Sequence, residues 1–185
     1  MTELVFEEMK ENMDKALEAL EKSFGKVRTG RASISLLDGI KVDYYGAATP
    51  LNQVATLSVP ESRLIAISPW DSSVIPMIEK AIQKSDLGLT PSNDGKMIRL
   101  AIPALTEERR KELVKQVKKM TEESKVKIRN LRRDANEQLK EMKKSSAISE
   151  DELFTHQDEV QKVTDKYIEQ ADALFEAKEK EITII

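Results

Sequence analysis

Hydrophobic residues recur every three or four positions in three long stretches of the chain, and this spacing predicts three amphipathic helices. In the first stretch the pattern continues to Thr29-Gly30, where the glycine is expected to end the helix. Its predicted apolar face consists of Phe6, Met9, Met13, Leu17, Leu20, Phe24 and Val27. Because this face covers only one side of the helix, it must be buried against other elements.

The other two helices are predicted in the C-terminal part of the chain, with a short turn between them. Thr106 is the expected N-cap of the first, and neither glycine nor proline interrupts the chain before Lys144, so this helix is about 55–60 Å long. Ser149 and Glu152 begin the next helix with the spacing of a capping box. Its predicted inward face carries Leu153, Val160, Tyr167, Ala171 and Leu174. An up-down bundle buries all three apolar faces.

The segment from residue 30 to residue 105 has short, β-branched apolar runs instead of helical spacing. It contains all 6 prolines and all but one of the 6 glycines. Strands are predicted at residues 40–44, 54–59, 64–67 and 97–102. Residues 72–85 fit a helix capped by Asp71, and Asp94-Gly95 is a turn dipeptide before the last strand. This segment is therefore predicted to form a small β/α/β domain.

These elements predict an α+β fold with two domains. Residues 1–29 and 106–185 would form a discontinuous three-helix bundle, into which residues 30–105 are inserted. Two connections then cross between the domains, and few contacts are expected to tie them, so they predict a hinge. The predicted hinge residues are Thr29, Gly30, Arg31, Pro103, Ala104 and Leu105.

Composition narrows the class of protein. The chain has no cysteine, which excludes disulfides and thiolate metal sites, and aromatic residues are only 4% of it. Its N-terminus lacks the basic and apolar regions of a signal peptide, and no apolar run is long enough to cross a bilayer. We therefore expect a soluble, cytoplasmic protein without membrane association.

The net charge of −3 hides a strong asymmetry along the chain. Residues 106–144 carry 14 basic and 8 acidic side chains, a net charge of +6, whereas residues 145–185 carry a net charge of −7. On a helical wheel the basic residues of the long helix gather opposite its apolar side. This basic stripe consists of Lys111, Lys115, Lys118, Lys125, Arg129, Arg132 and Arg133, with Glu122 in its middle.

The basic stripe has two interpretations that its composition leaves open. It is either a solvated helix face or a surface that binds a polyanion, and three arginines within two turns favour the second because guanidinium groups fit phosphates with two parallel hydrogen bonds. A helix is too wide to read the narrow major groove of A-form RNA, so contacts to backbone and loops are expected. Arg110 falls toward the apolar side, where it either binds RNA or borders the domain junction.

Signals of catalysis are missing from the sequence. The single histidine, His156, lies in an acidic helix and is interpreted as a surface residue, and no glycine-rich phosphate loop is present. The chain is therefore predicted to be neither an enzyme nor a carrier of a cofactor or metal. Two other classes remain: an interaction protein whose helices pair with another chain, and a general RNA-binding protein.

Several short motifs occur in order over nearly the whole chain: Val27-Arg28-Thr29-Gly30-Arg31-Ala32-Ser33, Tyr44-Tyr45-Gly46, Thr49-Pro50-Leu51, Ile78-Glu79-Lys80-Ala81-Ile82, Ser85-Asp86-Leu87-Gly88-Leu89, Leu105-Thr106-Glu107-Glu108-Arg109-Arg110 and Arg129-Asn130-Leu131-Arg132-Arg133-Asp134. In sequence and spacing they resemble the bacterial ribosome recycling factor family. The resemblance implies an L-shaped monomer that acts with elongation factor G to split the post-termination ribosome. It also implies that the bundle binds large-subunit ribosomal RNA and that the smaller domain pushes on inter-subunit bridges. The expected RNA-binding residues are Arg132, Arg129, Arg133, Arg110, Lys118 and Lys125.

Overall fold

A computed structural model describes residues 1–184, and the chain divides into two compact units. The first unit combines Met1–Thr29 with the chain from Glu107 onward, and the second is Gly30–Thr106. Helices dominate the first unit and antiparallel strands the second, which confirms the α+β class.

Three helices form the first unit: α1 (Thr2–Gly25), α3 (Glu107–Lys144) and α4 (Glu150–Thr183). The remaining α-helix, α2 (Ile75–Lys84), belongs to the second unit. The long helix predicted from Thr106 is confirmed, and it is a single helix of 38 residues. At the start of α4 the Ser149 hydroxyl accepts a hydrogen bond from the Glu152 amide at 3.2 Å. The Glu152 carboxylate accepts one from the Ser149 amide at 2.7 Å, so the predicted capping box is present.

The bundle core is almost entirely aliphatic, with Phe24 as its aromatic member, in keeping with the low aromatic content of the chain. Its buried residues are Val5, Met9, Met13, Leu17, Leu20, Phe24 and Val27 before the insertion, Leu113, Val117, Ile128, Ala135 and Leu139 on α3, and Leu153, Val160, Ala171 and Ile182 on α4. Val5 rather than Phe6 is the first buried residue of α1, while Tyr167 and Leu174 are only half-buried. Thr121 and Thr164 are buried with their hydroxyls donating to carbonyl oxygens one turn earlier, which satisfies both groups.

The first helix ends four residues earlier than its apolar spacing predicts. α1 stops at Gly25, and the amides of Lys26 and Val27 then donate to carbonyls three residues back, at 3.2 and 3.1 Å. Val27 nevertheless stays buried. The apolar pattern therefore continues through a turn that is no longer α-helical, which is why the predicted end at Thr29-Gly30 was wrong.

The second unit contains two antiparallel sheets and one α-helix. Strands β1 (Lys41–Tyr44) and β2 (Ala47–Pro50) form a hairpin, and β3 (Ala55–Glu61), β4 (Leu64–Pro69), β5 (Pro91–Asn93) and β6 (Ile98–Ala101) pair in the order β3-β4-β6-β5. The helix α2 (Ile75–Lys84) follows a 3-10 turn at Ser72–Val74, where Asp71 accepts a hydrogen bond from the Ser73 amide at 2.9 Å. Further 3-10 turns are Ile34–Leu37 and Leu51–Gln53.

Two strands of this unit were not predicted. β2 has only exposed or half-buried residues, and β5 is three residues long and begins with proline, so neither shows an alternating pattern. Both are defined by pairing with the neighbouring strands β1 and β6. The predicted turn at Asp94-Gly95 is present between β5 and β6, with Gly95 at φ +88°.

The second unit has its own hydrophobic core, and backbone hydrogen bonds fix the chain near both of its ends. The core consists of Leu37, Val42, Leu51, Val54, Ala55, Ile65, Ile67, Val74, Ile75, Ile78, Ile82, Ile98 and Leu100. Near its N-terminal end the Ala32 amide donates to the Ser62 carbonyl at 2.7 Å. Near its C-terminal end the Ile102 amide donates to the Arg63 carbonyl at 2.8 Å. Adjacent residues of the β3–β4 turn therefore hold both ends of the unit.

Candidate nucleic-acid interface

The basic stripe lies on α3 beside α4, and its seven cations differ in how strongly the bundle engages them. Lys115, Lys118, Arg129 and Arg133 are exposed, whereas Lys125 and Arg132 are half-buried. Lys111 pairs with Glu107 at 2.9 Å on the exposed surface, an i, i+4 contact that contributes little energy. The stripe is therefore an exposed cationic face with two members drawn toward α4.

Lys125 is the more strongly engaged of these two members. Only 12% of its side chain is exposed, and its ammonium group pairs with Asp172 of α4 and, at 3.4 Å, with Glu122. The hydrogen bond to Asp172 raises the pKa of Lys125, against the opposing effect of burial. This geometry makes Lys125 a link between α3 and α4, with much of its charge already compensated.

Arg132 is held in a different way, by a neutral side chain. Its Nη1 donates a hydrogen bond to Oε1 of Gln161 on α4 at 3.1 Å. The Nε2 of Gln161 in turn donates to Oδ1 of Asp165 at 2.8 Å. A guanidinium group has five N–H donors, so the Gln161 contact leaves Arg132 with donors and a full charge for an anionic ligand.

The remaining predicted RNA-binding residue, Arg110, is half-buried near the start of α3. Partial burial is what we expect of a residue on the apolar side of the helical wheel, where Arg110 falls. Arg109, its neighbour, is exposed and pairs with Glu112 at 2.9 Å. Arg110 therefore has a less open position than Arg129 or Arg133.

The predicted hinge residues lie at or close to the two points where the chain passes between the units. Thr29 is buried, and its hydroxyl donates to Oε1 of Glu181 at 3.1 Å. Gly30 has φ +76°, and a Cβ added there would lie 3.0 Å from Cγ of Leu105. Arg31, Pro103 and Ala104 are exposed. Glycine at residue 30 is thus required by both its backbone conformation and its close neighbour.

His156 lies nearer the bundle interior than its interpretation as a surface residue implies. Its side chain is 24% exposed, with Nδ1 3.1 Å from Oε2 of Glu159. The ring packs edge-on against Phe6, with 5.8 Å between centroids. Across residues 1–184, no group of three or more His, Asp or Glu side chains is placed to hold a metal ion. Nor does any helix in that range have the length and apolar character that a membrane span needs.

Gln161 is the contact residue that sequence reasoning missed. Its spacing of four residues from Asp165 was visible as a helical pair, but its contact with Arg132 joins residues on two different helices. A helical wheel shows which side a residue faces and cannot show which partner lies opposite. The sequence therefore indicated the Gln161–Asp165 pair within α4, but not the contact between Gln161 and Arg132.

The fold and this surface together define a class: a two-unit α+β protein whose helical bundle carries a cationic helix face. Residues 20–183 match the family model described as ribosome recycling factor. A ribosome-recycling factor from Syntrophus aciditrophicus is 70% identical over 182 residues, covering 98% of each chain. The chain belongs to the ribosome recycling factor family.

Solved structures agree with this assignment. A solution structure of a ribosome recycling factor is 45% identical, with a TM-score of 0.76, and covers 100% of this chain and 98% of its own. A second match, at 47% identity and a TM-score of 0.65, covers 98% of both chains. That structure presents models of the T. thermophilus ribosome recycling factor and E. coli elongation factor G bound to the E. coli post-termination complex.

Proposed function

We propose that this protein recycles bacterial ribosomes in the cytoplasm, acting without catalytic chemistry of its own. With elongation factor G it dissociates the post-termination ribosome into subunits and releases the mRNA. Membership of the family supports this role, and so does a relative's structure in a post-termination complex with elongation factor G. The test is sedimentation of 70S ribosomes with elongation factor G and GTP, with and without the protein. Unchanged 70S peaks would contradict the role.

The proposed contact with large-subunit ribosomal RNA rests on the exposed cations of the basic stripe and on the half-buried Arg132 beside them. Arg129 and Arg133 present open guanidinium groups, Arg132 is oriented beside them, and Lys118 extends the charge along α3. Guanidinium groups bind phosphates with two parallel hydrogen bonds, so three of them within two turns suit an RNA backbone. Lys125 and Arg110 were also expected to bind RNA, and we assign them a smaller share. The charge of Lys125 is paired with Asp172 and Glu122, and Arg110 is half-buried near the start of α3, far along the helix from the three arginines.

Replacing Arg132 tests this contact. Arg132→Ala is expected to weaken binding to 70S ribosomes by about 1–3 kcal/mol, because a charge-assisted contact is lost. Binding of the unsubstituted protein should also weaken as the salt concentration rises, because cationic side chains release counterions from the RNA when they bind. The measurement is equilibrium binding of fluorescently labelled protein at several salt concentrations. Lys119→Ala removes an exposed cation of α3 outside the basic stripe and serves as the control. Equal losses in both variants would contradict a specific contact.

We further propose that residues 29–31 and 103–105 act as a hinge for a mechanical step. Binding of the bundle would anchor the protein, and motion of elongation factor G would reach the second unit through these two connections. The smaller unit would then press on the bridges between the subunits. The positive φ of Gly30 and the chain's division into two compact units on either side of these connections support this view.

A further inference from the structure

The amide of Gln161 is placed between a group that can only donate hydrogen bonds and one that can only accept them. The Arg132 guanidinium has no acceptor, and the Asp165 carboxylate has no donor. The amide therefore has one workable orientation, with its oxygen toward Arg132 and its nitrogen toward Asp165, as the distances of 3.1 and 2.8 Å show. Asp165 thus determines how Gln161 is presented to Arg132.

A neutral partner has a consequence that a carboxylate would not have. Lys125, on the same side of α3, is paired with the carboxylates of Asp172 and Glu122, which compensate its charge. Arg132 is instead fixed by an amide, which restricts its rotamers and leaves its charge uncompensated. Ordering a long side chain before binding reduces the entropy that binding would otherwise cost.

We propose that Gln161 is a positioning residue for ribosomal RNA binding: held by Asp165, it preorganises the Arg132 guanidinium for a phosphate while keeping the charge available. This inference rests on the proposed role of Arg132 and deepens it. Gln161 acts through Arg132 and makes no RNA contact of its own.

Two substitutions at residue 161, compared with one control substitution elsewhere on α4, separate position from charge. Gln161→Met keeps the length of the side chain and removes both hydrogen bonds, so ribosome affinity should fall about three- to tenfold, the equivalent of one lost hydrogen bond. Gln161→Glu should weaken affinity at least as much, because a carboxylate pairs with Arg132 and competes with phosphate. Gln170→Met is the matched control: this exposed glutamine of α4 lies nine residues on and faces the opposite side.

The decisive measurement is a double-mutant cycle in full-length protein, using equilibrium binding to 70S ribosomes. In an Arg132→Ala background, Gln161→Met and Gln161→Glu should change affinity by less than about twofold, since their effect passes through Arg132. Thermal unfolding should show that both variants keep the parent's fold, and the Gln161→Glu variant should have the weaker salt dependence.

The possible results distinguish this inference from the proposed function itself. If Arg132→Ala binds as the parent does, the proposed RNA contact fails. If Arg132→Ala weakens binding but Gln161→Met does not, only the positioning role is overturned. If Gln161→Met weakens binding equally in the Arg132→Ala background, Gln161 acts independently of Arg132, and the inference is again overturned.

Discussion

At the scale of single residues, the neighbours of a cation determine what it can bind. The helical wheel put Lys125 and Arg132 on one side of α3, and the structure adds that α4 holds the first with the carboxylate of Asp172 and the second with the amide of Gln161. The apolar spacing of a single helix contains no information about this difference. Residue types and their direction were predictable here, whereas their partners on another helix were not.

Gly30 offers a test in which backbone strain and steric contact can be separated. Gly30→Ala should lower the free energy of unfolding by more than the ~1–2 kcal/mol that a left-handed conformation costs an L-residue, because its Cβ would also meet Leu105 at 3.0 Å. Gly39→Ala is the matched control, with φ +82° and no atom within 4 Å of the new Cβ. Urea unfolding of both variants gives the difference. Equal destabilisation would show that Leu105 moves away at no cost.

The pH dependence of stability provides a test of the hydrogen bond that joins Tyr167 of α4 to Asp14 of α1. The Tyr167 hydroxyl donates to Oδ1 of Asp14 at 2.8 Å, and burial together with this bond raises its pKa to about 12. In the unfolded chain the pKa of the tyrosine phenol is about 10. The hydrogen bond of Tyr167 therefore contributes its full stabilisation below that pH, and this contribution is lost as the pH rises toward 12. The stability gap between the parent and Tyr167→Phe should therefore narrow over this range in urea unfolding. A gap that stays constant would contradict the assignment.

At the scale of elements, predictions succeeded where a pattern repeats and failed where an element depends on its partner. α3 and α4 have many turns of amphipathic spacing and clear N-terminal signals, so their starts were predicted closely. β5 has three residues and begins with proline, and only its hydrogen bonds to β6 define it as a strand. The end of α1 was missed because Val27 continues the apolar spacing after the helix has stopped.

The capping box at the start of α4 can be tested directly. Ser149→Ala should lower the free energy of unfolding of the bundle by about 1 kcal/mol, because the Glu152 amide loses its acceptor. Ser149→Asp keeps a capping oxygen and should stay close to the parent. Circular dichroism at 222 nm during urea unfolding measures both variants. Ser149→Ala with the parent's stability would mean that water caps this end equally well.

The second hydrogen bond of the capping box, from the Ser149 amide to the Glu152 carboxylate, makes the stability of this end of α4 depend on pH. The amide of Ser149 donates to the Glu152 carboxylate and lowers its pKa. A carboxylate with a lowered pKa stabilises the folded state above its ordinary pKa, and this contribution is lost as pH falls through the lowered value. The start of α4 is therefore expected to weaken in acid, before the buried core is affected.

At the scale of the whole molecule, the topology could be read from the alternation of patterns along the chain. Helical spacing before residue 30, strand-like runs up to residue 105 and helical spacing afterwards indicate an insertion into a bundle, and the α+β class is confirmed. The order of the strands was not predictable, because pairing between β4 and β6 joins segments separated by a helix and a further strand. Long-range pairing depends on the whole core, and local sequence does not determine it.

The hinge is a proposal at this scale. Inserting two residues between Thr29 and Gly30 should impair ribosome splitting more than ribosome binding, because the anchoring surface on α3 is unchanged while transmission of motion is disturbed. Splitting is measured by sedimentation with elongation factor G and GTP, and binding by fluorescence without them. The same insertion within the exposed Tyr45-Gly46 turn is the control. Equal losses in the two assays would contradict the hinge.

The hydrogen bonds of Ala32 and Ile102 to the adjacent residues Ser62 and Arg63 have a consequence for how the protein can be taken apart. They bring the beginning and the end of the inserted segment side by side, on a unit whose hydrophobic core cluster is made of its own residues. A peptide of residues 30–105 therefore contains this core and both of these hydrogen bonds. This peptide is therefore expected to fold as an independent domain when it is expressed without the helical bundle.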